Sequence, residues 1–98
     1  MIYRSISSRS KYGNVAIATT AVEVTTEAST PASRARLMVM NLAGSDTTYL
    51  GLDDDVTDAV GYPLAAGSSV DLDLEQGQAI YAICGAAESA NLRVIEVM

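Results

Sequence analysis

The sequence predicts an all-β fold, a single-domain sandwich or small barrel led by an extended N-terminal arm. Three observations carry this. Six or seven short runs rich in Val, Ile, Thr, Tyr and other apolar residues recur with turn signals about every 8–12 residues. Within several runs apolar and polar residues alternate, the period of a strand with one face on a core and one in water. No run holds a helical period, and the chain has no internal repeat. Its 98 residues make one domain, and its apolar volume is built without Phe or Trp. A core of Ala, Val, Leu, Ile and Met in so small a chain has a thin margin, which oligomerisation commonly widens.

Residues 1–13 carry four Ser, three basic residues and two Tyr with no sustained period, and are expected to form an extended arm ahead of a β-domain over residues 14–98. Tyr3 and Tyr12 are amphipathic anchors of the kind enriched at interfaces, and Arg4, Arg9 and Lys11 supply charge. Residues 14–27 read as one bent strand or two short ones, broken near Thr19 and Thr20. Residues 28–34 form a loop around Pro31. The stretch 35–53 then reads as two strands joined by a tight turn at Ala43-Gly44-Ser45-Asp46. In the first, Leu37, Val39 and Asn41 point one way and Met38, Met40 and Leu42 the other. Both faces are apolar, so the second face is covered by the fold or used between subunits.

Gly51 marks a bulge or a close backbone approach. Residues 53–58, DDDVTD, place four carboxylates in six residues. Hard cations favour such clusters, but the spacing lacks the Gly and Glu positions of an EF-hand loop, and an acidic solvated loop is the simpler reading. Residues 61–67 are bounded by glycines, with Pro63 favouring extended geometry at Tyr62. Residues 68–74 alternate most cleanly: Val70, Leu72 and Leu74 inward, Asp71 and Asp73 outward, with Glu75 continuing the acidic row. Residues 79–85 form a strand apolar on both faces, and residues 91–98 form a last strand that places the end of the chain inside a sheet.

Net charge is −6, which argues against nucleic acid as the main partner. The charge is uneven: residues 1–36 sum to +3 and residues 37–98 to −9. That asymmetry fits two surfaces with different partners, or a basic arm lying on something acidic. There is no His, so Cys84, the one cysteine, has no imidazole base, and it fits the core as a small hydrophobe. No catalytic motif, phosphate loop, metal set or cofactor motif is present, and the chain is expected not to be an enzyme. No signal peptide is evident, and no run reaches the ~18 apolar residues of a membrane helix, so synthesis in a cytoplasm without membrane association is expected.

From Arg36 onward the order of segments resembles a family of small tailed-bacteriophage virion proteins. The resemblance rests on Arg36 to Asn41, Tyr49-Leu50-Gly51, Val56-Thr57 with Gly61, Pro63-Leu64 and Gly67, then Ile80-Tyr81-Ala82-Ile83, and finally Leu92 to Glu96. These motifs are structural, and they cover about two-thirds of the chain. Residues 1–13 lie outside them. The resemblance implies a jelly-roll or sandwich module, trimeric or otherwise oligomeric, serving as a capsid decoration (cement) protein, head fibre or tail-associated part. Made in the host cytoplasm, such a protein sits on the virion head. It binds the major capsid protein, a contact that composition alone, outside the resemblance, assigns to Tyr3, Arg4, Arg9, Lys11 and Tyr12 of the arm. Its copies associate through apolar strand faces such as Met38, Met40, Ile95 and Val97. The alternative is a tail or fibre module that recognises a host receptor or glycan through residues 53–62, with Tyr62 stacking on a sugar.

Overall fold

A computed structural model describes residues 10–98, and these form two antiparallel four-stranded sheets with no helix among them. The strands are β1 Lys11–Ile17, β2 Val22–Glu23, β3 Arg36–Asn41, β4 Thr48–Gly51, β5 Tyr62–Leu64, β6 Ser69–Asp73, β7 Tyr81–Cys84 and β8 Ala90–Val97. The first sheet has the order β1-β8-β3-β6 and the second β2-β7-β4-β5. β1 therefore pairs with β8, β2 with β7, β3 with β6 and β4 with β5. This nesting is the jelly-roll arrangement, in which one folded-over ribbon supplies both sheets. The fold is a sandwich rather than a closed barrel.

The core lies between the sheets and is aliphatic. Val15, Ile17, Leu37, Val39, Leu92 and Val94 enter it from the first sheet, and Leu50, Leu64, Ala82 and Cys84 from the second. Each set follows the two-residue period of its strand, so burial reads Leu37 in, Met38 half out, Val39 in, Met40 out. The expected break in residues 14–27 falls between Ile17 and Val22, where the chain leaves the first sheet for the second. Pro63 sits in β5, an edge strand bonded only to β4, where its missing N–H leaves no ladder position empty inside a sheet. β8 runs between β1 and β3, so the end of the chain is in the middle of a sheet.

Two boundaries differ from expectation. β1 starts at Lys11, so Lys11, Tyr12 and Gly13, assigned to the arm, are paired with Glu96, Ile95 and Val94 instead. Tyr3, Arg4 and Arg9 lie outside the described residues. More important, β3 and β4 are not a hairpin. They belong to opposite sheets, and the chain between them crosses the end of the sandwich. A turn does form there: Ser45 N donates to Leu42 O, and Gly44 adopts φ +87. What redirects the chain is the buried Asn41, whose Nδ2 donates to Asp46 O and to Leu64 O, both at 2.9 Å. The amide ties the turn to β5 of the other sheet. Alternation alone fixes which residues face the core, not which neighbour a strand pairs with.

Candidate interaction face

The outer surfaces of the two sheets are treated differently by the chain. On the second sheet, residues 52–61 fold back over the strands. Gly51 points its absent side chain at Val56, where a Cβ would lie 2.5 Å from the Val56 Cβ. A Cβ on Gly61 would lie 2.6 Å from the Tyr49 Cβ. Glycine at both positions lets the loop seat the buried Val56 on the sheet. The acidic stretch is organised as turns, with Val56 N donating to Asp53 O and Asp55 N to Asp53 Oδ1. Its carboxylates point outward. Among the described residues no group of three or more His, Cys, Asp or Glu is placed to hold a metal ion.

On the first sheet, no segment among the described residues covers the outer face. Register sets its outward side chains in ranks across the four strands. One rank is Tyr12, Ile95, Met38 and Asp71, and the next is Asn14, Arg93, Met40 and Ser69. Tyr12 is 85% exposed and Met40 44%, while Met38 and Ile95 are half-buried by their neighbours. A shallow groove of about 680 Å³ runs across the ranks, and every residue lining it comes from these four strands. Three of the four expected interface residues, Met38, Met40 and Ile95, thus share one surface with Tyr12. The fourth, Val97, does not offer a free surface. It is fully buried, at the end of β8 where Ala35 N donates to its carbonyl and the chain entering β3 closes on the strand.

Charge on this face is nearly balanced. Arg36 Nε donates to Asp71 Oδ1 at 2.8 Å, and Arg36 Nη2 reaches the other carboxylate oxygen. The guanidinium, chiefly through these hydrogen bonds, holds the Asp71 carboxyl below its ordinary range. Arg93 is exposed, with no ion pair to any described residue. Lys11, at the edge of β1, approaches Glu27 at 4.0 Å.

Beneath the face, at one end of the sandwich, sits a cluster that the sequence reading missed. Arg34 and Glu96 are both fully buried and meet at 2.8 Å. Arg34 Nη1 also donates to Val24 O at 2.6 Å and Nη2 to Gln78 O at 3.1 Å. Glu96 accepts from Thr25 Oγ1, from Thr26 N and from Thr26 Oγ1 at 2.6–2.8 Å. Burial pushes the Glu96 carboxyl up, but the Thr26, Thr25 and Arg34 donors together outweigh it and hold the group below its ordinary value. The cluster joins β8 to the β2–β3 loop and to the turn before β7, a structural role. Its signal was available: Glu96 has the same parity in β8 as Leu92 and Val94, so it had to point inward and needed a buried cation.

Cys84 is buried beside Thr48, with 3.7 Å between sulfur and hydroxyl. Burial raises its thiol, the opposite of what a nucleophile needs. The most ordered feature of the described surface is therefore the ranked outer face of the first sheet. Comparison with known proteins adds nothing to that geometry, since no family model, curated protein or solved structure matches the chain.

Proposed function

We propose that this chain is a non-enzymatic virion protein of a tailed bacteriophage, most simply a capsid decoration protein that braces the outer head shell. The observation that carries the reading is the outer face of the first sheet, where Tyr12, Ile95, Met38 and Met40 are held in register on a rigid sandwich. The segment order from Arg36 to Glu96 supports it as well. A bracing protein gains its affinity from surfaces and needs neither a pocket nor a cofactor. Copies associate through the ranked face, and the basic residues preceding β1 reach the major capsid protein. Simultaneous engagement of several shell subunits gives avidity that no single contact has. That clamp resists the outward pressure of packaged DNA.

The test is attachment to shells of the major capsid protein. Removal of residues 1–9, which leaves β1 whole, is expected to abolish attachment and to leave the melting temperature of the sandwich unchanged. Attachment that survives the truncation sinks the arm's role. A second reading draws on three large hydrophobics exposed near the β4–β5 loop, Leu52 at 69%, Val60 at 78% and Tyr62 at 64%. They suit a tail or fibre module that contacts a host surface. Copy number in purified particles separates the two: hundreds of copies on the head favour bracing, and a handful at the tail overturns it.

A further inference from the structure

We infer that the outer face of the β1-β8-β3-β6 sheet is built to receive a second copy of this chain about a two-fold axis parallel to the strands. The inference rests on the self-association part of the proposed function and gives it a partner and a geometry.

The argument starts from the order of side chains within each rank. A two-fold axis running between β8 and β3, in the plane of the contact, lays β1 of one copy over β6 of the other and β8 over β3. The rank Tyr12, Ile95, Met38, Asp71 is then read in reverse by its partner. Tyr12 faces the partner's Asp71, a hydroxyl donor opposite a carboxylate, and Ile95 faces the partner's Met38. In the next rank Asn14 faces the partner's Ser69, amide to hydroxyl. Arg93 faces the partner's Met40, so its aliphatic stem lies on the thioether. Apolar meets apolar at the middle of the first rank, and polar meets polar at the edges of both. A face that complements itself under this rotation is what an isologous contact requires. A two-fold axis perpendicular to the strands and passing through the first rank would instead set Asp71 on the partner's Asp71.

Charge selects the same face. The described residues hold all twelve acidic side chains of the sequence against Lys11, Arg34, Arg36 and Arg93. Two such copies repel over most of their surface. In the two ranks the only carboxylate, Asp71, is already paired with Arg36, so the contact sets no unpaired acid against another. The second sheet presents the opposite case, with residues 53–58 projecting acid over it.

Size sets the expected strength. Four strands at ~4.8 Å spacing and about five residues of strand length give a flat contact of roughly 300–400 Å² per copy, near half the ~800 Å² per partner of a standard stable interface. The pair is therefore a weak one in free solution. On a surface that already holds neighbouring copies close, effective concentration makes up the difference.

The test uses the whole chain. Sedimentation from about 10 µM to about 1 mM, a range spanning weak association, is expected to show a monomer passing to a dimer. Tyr12→Ala and Met40→Glu alter exposed side chains, and each is expected to weaken the dimer at least tenfold with no change in the melting temperature of dilute protein. For geometry, Tyr12→Cys chains are mixed with Asp71→Cys chains and treated with a short bis-maleimide; Cys84 is buried and does not compete. Covalent dimers are expected from the mixture and not from either variant alone. A monomer at every concentration overturns the inference. So does a dimer indifferent to Tyr12→Ala and Met40→Glu, or a cross-link that forms equally well in the unmixed variants. A monomer that still decorates shells defeats this inference alone, and a dimer that never binds shells defeats the proposed function alone.

Discussion

Two arginines stand two residues apart, and each holds a carboxylate. Arg34 turns into the sandwich and meets Glu96 where neither side chain has any exposure. Arg36 lies on the outside of the first sheet and meets Asp71, which is 48% exposed. The chemistry is the same, but the surroundings reverse what each pair does. Inside, the ions have lost their water and depend on every donor and acceptor around them, so the cluster welds β8, the β2–β3 loop and the turn before β7 into one unit. Outside, water competes with the partner at every moment, and the pair serves to orient side chains and balance charge on the face. The contrast extends to whole strands, because the inner side of β3 is committed to the core while no described segment covers its outer side.

The largest effect that tests this contrast comes from Glu96→Gln. It leaves Arg34 charged and buried with no counter-ion, and is expected to cost about 3–5 kcal/mol in urea unfolding, a large part of the stability of a small domain. A loss below ~1 kcal/mol would mean that the cluster is wet. Acid probes the same group without mutation. The Glu96 carboxyl lies below its ordinary 4.5 in the folded chain, so the unfolded chain takes up a proton first. Its contribution is therefore complete above pH 4.5 and is lost as pH falls through the lowered folded value. In Glu96→Gln this component of the acid transition is expected to disappear.

Adjacent residues of β3 give the next effect. Leu37 is fully buried on the inner side, and Leu37→Ala is expected to cost about 2–5 kcal/mol through lost burial and the cavity it leaves. Met38 faces out, half-covered by Ile95 and its neighbours, and Met38→Ala is expected to cost under about 1 kcal/mol when unfolding is measured in dilute solution. Comparable losses at both positions would show that the outer face is covered even in the monomer.

How much of this is legible in the sequence depends on what each feature needs. The all-β class and the inward set Leu37, Val39, Val70 and Leu72 follow from alternation, which is local. The meeting of Met38 and Ile95 needs the register of β3 on β8, a pairing across more than fifty residues that no local pattern encodes. The supposed β3–β4 hairpin fails for the same reason. Gly44 marks a turn correctly, yet the strands on its two sides lie in opposite sheets, and the Asn41 amide bonds across to Leu64 in the other one. Arg34 gave no signal, because one arginine in a Ser- and Pro-containing loop looks solvated. Glu96 did give one, a charge at an inward position of a strand otherwise Leu, Val and Ile. Val97 shares the outward parity of Ile95, but the strand ends there against the chain at Ala35, and burial at a closed end is not periodic.

The smallest effect is the most telling about the face. Arg36→Met removes the partner of Asp71 and is expected to cost at most about 1 kcal/mol in dilute protein, shrinking further with added salt as the charges are screened. The Asp71 carboxyl lies below its ordinary 3.8 because of Arg36, so the pair contributes above that pH and fades as pH falls through the lowered value. Unfolding of Arg36→Met against the unaltered chain, with and without salt and at low and high protein concentration, checks this. If two copies meet on this face, the cost rises with protein concentration. Asp71 is then drawn out of water by the partner's Tyr12, and the loss of Arg36 is felt as it is at Arg34. A cost that stays small and concentration-independent leaves Arg36 and Asp71 an ordinary surface pair, and returns the open face to a partner other than a second copy.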